Sequence, residues 1–226
     1  MTPAEACCRA KMPEIHCIGK RFMMTRLQKI ILLAESAMMI ALGTVLSLIK
    51  VYEAPFGGSV TLLSMAPIII LSLRRGVKVG LPAAFVYSVL QLILGLNSIA
   101  WVPSAGGRVL CIFFDYIFAF TVLGLAGFAM KIPYTGNDKK NLWIGAIVGT
   151  VTVVLLRFAC HLVSGAVIWY ALDLEWYADD PGHIVHRYGA WLFSLIYNGG
   201  YMVPEIIETV IGVPVLTKAL ARFRVR

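Results

Sequence analysis

Six apolar stretches, all but the second at least as long as a helix needs to cross a bilayer, leave this chain few folds to choose from. They read as 28–49, 59–73, 77–98, 109–130, 142–172 and 189–217. A helix needs about 20 apolar residues to cross the hydrocarbon core. Inside that core every backbone polar group must be satisfied by the chain itself, so only helices and closed barrels cross it. The runs are continuous rather than alternating, which argues against a barrel. The expected fold class is an all-α integral membrane protein, a bundle of six transmembrane helices over 28–217. A basic tail, 1–27, precedes it and a short basic tail, 218–226, follows it. The second stretch is short and interrupted by Gly57, Gly58 and Pro67. It is expected to be tilted or partly irregular and to line a cavity.

Charge placement predicts the orientation. The N-terminal tail, the turn at Arg74, Arg75 and Lys78, the loop at Lys131, Lys139 and Lys140, and the C-terminus are basic. The alternate loops hold only Lys50, Arg108 and Arg187, and one of them holds Asp173, Glu175, Asp179 and Asp180. The basic side is the cytoplasmic side, which places both termini in the cytoplasm of a plasma-membrane protein. The formal charge of +8 is therefore explained by flanking a lipid bilayer, and no nucleic-acid partner is expected. Only 14% of residues are charged, against about a quarter in a soluble domain, so no soluble domain is expected either.

Several function classes drop out. No GxxxxGK[ST] phosphate loop occurs, so the chain does not hydrolyse ATP by that route. Cys7, Cys8, Cys17, Cys111 and Cys160 have neither the count nor the spacing of a disulfide framework. Neither they nor His16 match a metal site. No cofactor is expected. Residues 1–22 are charged throughout and do not read as a cleavable signal peptide, while Met23 and Met24 offer a second translation start.

Three polar residues interrupt the apolar stretches at similar depth: Asp115, His161 and Asn198. Polar and ionisable groups inside a membrane are costly, and their default reading is a functional site facing a cavity. Asp115 reads as an anionic anchor for a cationic ligand; the structural alternative is a carboxylate neutralised by Arg108 or Arg157. Trp191, Asn198 and Glu205 are spaced by seven and fall on one helical face. Asn198-Gly199-Gly200 and Pro204 are expected to loosen or kink that helix. Ser164 and Gly165, small residues between His161 and Trp169, allow a close approach of a ligand or another helix. Tyr87, Tyr116, Trp169 and Trp191 suit a flat, positively charged heteroaromatic ligand through stacking and cation–π attraction. Ala37 and Ala41, one turn after Ala34, form a face on which another helix can pack, within the bundle or from a partner.

These residues resemble a known family, the thiamin-specific substrate-binding (S) components of energy-coupling factor transporters. The likeness covers nearly everything after residue 28. It is carried by LSLRRG at 71–76, Asp115-Tyr116 followed by LGLAG at 123–127, and SLIYNG at 194–199. The most specific element is His161 with Gly165 and Trp169 at spacings of four. The resemblance implies six helices and a pocket open to the outside, in which Asp115, Tyr116, His161, Trp169 and Asn198 surround thiamin. It also implies a transmembrane coupling subunit, docked through Ala37 and Ala41, and two cytoplasmic ATPase subunits. Three positions depart from the family pattern: Asp115 stands for Glu, Phe193 stands for a Tyr, and Gly57-Gly58-Ser59 stands where the first outer loop carries an aromatic. Tyr197, one turn from Phe193, is expected to supply the missing hydroxyl.

Two other function classes remain open. A stand-alone carrier of thiamin or a related cation, driven by protons or sodium, would use Glu35, Glu205 and Glu208 as coupling groups. An intramembrane enzyme would use Asp115 and His161 for acid–base chemistry. The sequence offers it no activated nucleophile and no metal set, so the chain is not expected to be an enzyme.

Overall fold

The computed structural model describes residues 25–54 and 58–221. Most of the expected N-terminal tail lies outside the described residues, with Met23, Met24, His16 and the first three cysteines. So do Gly57 and the C-terminal tail beyond Ala221. Two compact units are distinguished, Met1–Leu33 and Ala34–Arg226. In the first, residues 25–33 open helix α1 (Arg26–Leu48) with a reciprocal cap. The Gln28 amide donates to Thr25 Oγ1 and the Thr25 amide donates to Gln28 Oε1, which satisfies two donors that a helix start leaves free.

The second unit continues α1. A hairpin of β1 (Lys50–Glu53) and β2 (Ser59–Thr61) follows. Then come α2 (Ala66–Arg75), α3 (Val77–Leu94) and the short α4 (Leu96–Ala100). The long helices α5 (Ala105–Lys131) and α6 (Asp138–Trp176) lead through α7 (Ile184–Arg187) to α8 (Ala190–Ala221). Helices α1, α3, α5 and α6 are long and apolar enough to cross a membrane. Helix α8 has 32 residues and turns Asn198 and Glu205 inward, where both are buried. The chain is an all-α membrane protein, with one small hairpin as its exception.

The stretch 59–73 is not one helix. Pro67 sits in the first turn of α2, where its missing N–H is not needed. The helix therefore starts there, and Ser59–Thr61 joins the hairpin instead. Gly58, at φ 87, supplies the left-handed backbone before β2. At 10 residues, α2 is about 15 Å long, half the hydrocarbon thickness. Ala66 through Leu73 are all buried, so this apolar run is core rather than a lipid-facing span. The LGLAG segment of α5 closes on α2: Ser72 Oγ donates to the Gly124 carbonyl at 2.5 Å and accepts from the Gly127 amide at 3.0 Å. A Cβ on Gly127 would overlap the Ser72 carbonyl, so the glycine sets that approach.

Two helices widen locally. Helix α5 has π-helical turns at Ile112–Phe118, and α6 has them at Gly165–Trp169. Such turns are rare and gather at functional sites. Helix α8, in contrast, runs unbroken through Gly199, Gly200 and Pro204.

Candidate functional site

Within the second unit a cavity of about 250 Å³ is walled by the hairpin and by α3, α5, α6 and α8. Both π-helical turns reach it. The first carries Asp115 and Tyr116; the second carries Gly165 and Trp169.

Asp115 is held by side-chain donors, none of them a lysine or arginine. Its Oδ2 accepts from Ser164 Oγ at 2.6 Å and from the Trp169 indole N–H at 3.0 Å. The Cys111 thiol approaches the same oxygen at 3.3 Å. Its Oδ1 lies 3.1 Å from His161 Nδ1. An ionised carboxylate only accepts, so Nδ1 donates. That leaves His161 Nε2, which is buried and has no hydrogen-bond partner. Neither arginine considered from the sequence reaches Asp115. Arg108 Nε donates to the Val102 carbonyl at 2.6 Å, and Arg157 is engaged elsewhere.

Asn198 is fixed on one wall. Its amide nitrogen donates to the Ser194 carbonyl at 3.0 Å and to the His161 carbonyl at 3.3 Å, and its oxygen accepts from Tyr201 OH at 2.6 Å. Ser194 Oγ donates to the Leu162 carbonyl at 2.8 Å, a second tie between α8 and α6. Gly165 lies between these elements. A Cβ there would overlap Ser194 Oγ and come within 2.7 Å of Asn198 Nδ2. Phe193 and Tyr197 line the cavity with near-parallel rings, 6.1 Å apart and 23° inclined, and Tyr201 meets Tyr197 edge-on.

A second polar cluster lines the same cavity. Arg157 Nη1 lies 2.6 Å from Glu205 Oε2, and both side chains are buried. Thr61 Oγ1 donates to Glu205 Oε1 at 2.7 Å, and the Arg157 guanidinium lies 4.7 Å from the Phe120 ring centroid. The carboxylates read as coupling groups are likewise engaged. Glu35 pairs with Arg75, and Glu208 Oε1 accepts from the Leu63 amide at 2.9 Å. Among the described residues, no three His, Cys, Asp or Glu side chains gather as a metal site.

Six of the eight residues that the sequence marks as ligand-binding line this cavity: Asp115, Tyr116, His161, Gly165, Trp169 and Asn198. Tyr87 and Trp191 do not. Tyr87 is fully buried, with its ring edge against Phe120 and its hydroxyl donating to the Ser64 carbonyl. Trp191 is 59% exposed. It shares a helical face with Asn198 but does not line the cavity, whereas Phe193, two residues on, does. Ser194 and Tyr201 belong to the site without having been marked as ligand-binding by sequence, as does Ser164, read there only as a small residue beside Gly165. Each lies three or four residues from a residue that was, one helical turn away, and that spacing is their signal.

A profile of the thiamine transporter protein family (Thia_YuaJ) matches residues 33–225. The chain belongs to this family. It is 32% identical over 189 residues to the thiamine transporter ThiT of Bacillus subtilis, covering 81% of this chain and 88% of that protein. It is 28% identical over 156 residues to ThiT of Lacticaseibacillus paracasei, covering 67% of this chain and 70% of that protein. A solved structure of ThiT from Listeria monocytogenes superposes with a TM-score of 0.63 at 23% identity, covering 86% of this chain and 97% of that one. At that identity the superposition speaks for the fold alone.

Proposed function

We propose that this chain is the substrate-binding component of an energy-coupling factor importer and captures thiamin in the Asp115 cavity. The observation that carries the reading is the pairing of Asp115 with His161. A carboxylate that meets no lysine or arginine among the described residues stands beside a cavity with aromatic walls. That is the complement of a cationic heteroaromatic ring. His161 Nε2 adds a buried polar atom that a ligand can satisfy. Asn198 and Tyr116 are held in fixed orientations, so little side-chain freedom is lost on binding.

In this reading six segments cross the membrane, with α2 and the hairpin together forming the second. Both termini face the cytoplasm, and the cavity lies in the outer half of the bilayer. Ala34, Ala37 and Ala41 are exposed along one face of α1, which supports docking to a transmembrane coupling subunit served by two ATPases. The carboxylates that a stand-alone carrier would use each have a fixed partner, which favours the capture role.

Titrating the purified protein with thiamin while following tryptophan fluorescence tests the reading, because Trp169 lines the cavity. Saturable quenching by thiamin, and not by riboflavin or biotin, is expected. Folded protein that responds to a control vitamin instead of thiamin would refute the assignment.

A further inference from the structure

At the opposite end of α6 from Trp169, a surface groove of about 310 Å³ is lined by Lys139, Lys140, Trp143 and Ile144. Asn137 caps the helix there, its side-chain oxygen accepting from the Lys139 and Lys140 amides, which fixes the turn that carries both lysines. Lys218, in the last turn of α8, places its ammonium 4.9 Å from the centroid of the Trp143 ring. All three lysines are exposed, and none forms an ion pair with a carboxylate among the described residues. Two lysines whose stems line the groove, and a third placed against the Trp143 ring, thus stand without a carboxylate partner at a groove whose floor is an indole and an isoleucine.

We propose that this groove holds the headgroup of an anionic phospholipid. The ligand class follows from position and chemistry together. Trp143 is five residues into a helix long enough to cross the membrane, about 8 Å along its axis. That is the level at which Trp sits at the boundary of headgroups and acyl chains. Basic pockets between helices at that level suit acidic headgroups. The apolar floor adds a place for the glycerol backbone and the first methylenes, which a free phosphate does not need. The proposal is independent of the ligand in the Asp115 cavity.

The test is competitive lipid retention. The full chain is exchanged into mixed micelles with equal phosphatidylglycerol and phosphatidylcholine, and bound lipid is counted by native mass spectrometry. The wild type should retain phosphatidylglycerol over phosphatidylcholine, and each Lys→Gln change at 139, 140 or 218 should lower that preference about fivefold. K139Q/K140Q/K218Q should abolish it. K139R/K140R/K218R, which keeps the charge, and Lys78→Gln, an exposed lysine elsewhere, should preserve it. If the triple Gln variant does not fold, Lys218→Gln alone decides. Equal retention of the two lipids by the wild type overturns the proposal, as does a preference unchanged in Lys218→Gln and the triple variant. Displacement of the lipid by glycerol 3-phosphate at matched concentration overturns it in favour of a free-phosphate site.

Discussion

Two of the acidic side chains that line the cavity, Glu205 and Asp115, differ in one respect. Glu205 is closed: Arg157 neutralises it, Thr61 fills its other oxygen, and the pair ties the hairpin to α6 and α8. Asp115 is open: Ser164, Trp169 and His161 orient it, no lysine or arginine among the described residues pairs with it, and beside it His161 Nε2 has no partner. Buried ion pairs are costly to break but contribute modestly when whole. In the proposed function, a carboxylate that no lysine or arginine neutralises stays available to a cation from outside the chain, so the same residue class serves architecture at one station and recognition at the other.

The sharpest way to break this comparison is Glu205→Gln, which leaves Arg157 buried without its counter-charge. It should destabilise the ligand-free protein by about 3–5 kcal/mol, seen as a lower melting temperature, and R157M/E205L should recover most of the loss. Asp115→Asn should do the reverse, weakening thiamin binding by about 2–5 kcal/mol with a much smaller change in melting temperature. Equal destabilisation by the two variants would erase the distinction between open and closed stations.

Smaller changes sharpen it. Gly165→Ala drives a methyl group into Ser194 and Asn198 and should cost about 1–3 kcal/mol in stability while weakening binding. Ser164→Ala removes one donor to the Asp115 charge and should weaken thiamin binding by about 1–2 kcal/mol, read by the same titration. Trp191→Ala, at an exposed position, should change stability by no more than about 0.5 kcal/mol and leave the titration unchanged.

Legibility in the sequence differs by element. The long spans α1, α3, α5 and α6 are legible because continuous hydrophobicity of bilayer length is rare outside membrane helices. Asp115 and His161 are legible because ionisable groups are rare in such runs. The second stretch misleads because an apolar run buried in protein looks like one facing lipid; Pro67 marks where α2 begins, but the hairpin depends on pairing with Lys50–Glu53. Trp191 misleads because sharing a helical phase with Asn198 does not show which positions the neighbouring helices cover, and Trp191 is left exposed. Tyr87 misleads because an aromatic in an apolar helix carries no sign of whether it faces a cavity or the core.

The sequence by itself determined that the chain is helical, lies in a membrane and carries a polar site, because solvation in hydrocarbon acts on each stretch separately. Only the tertiary structure decided which carboxylate meets which partner. Asp115 and Glu205 are both acids set in apolar helices. Assigning Arg157 to one and His161 to the other required α5, α6 and α8 to be brought together, since hydrogen bonds and ion pairs form only over a few ångströms.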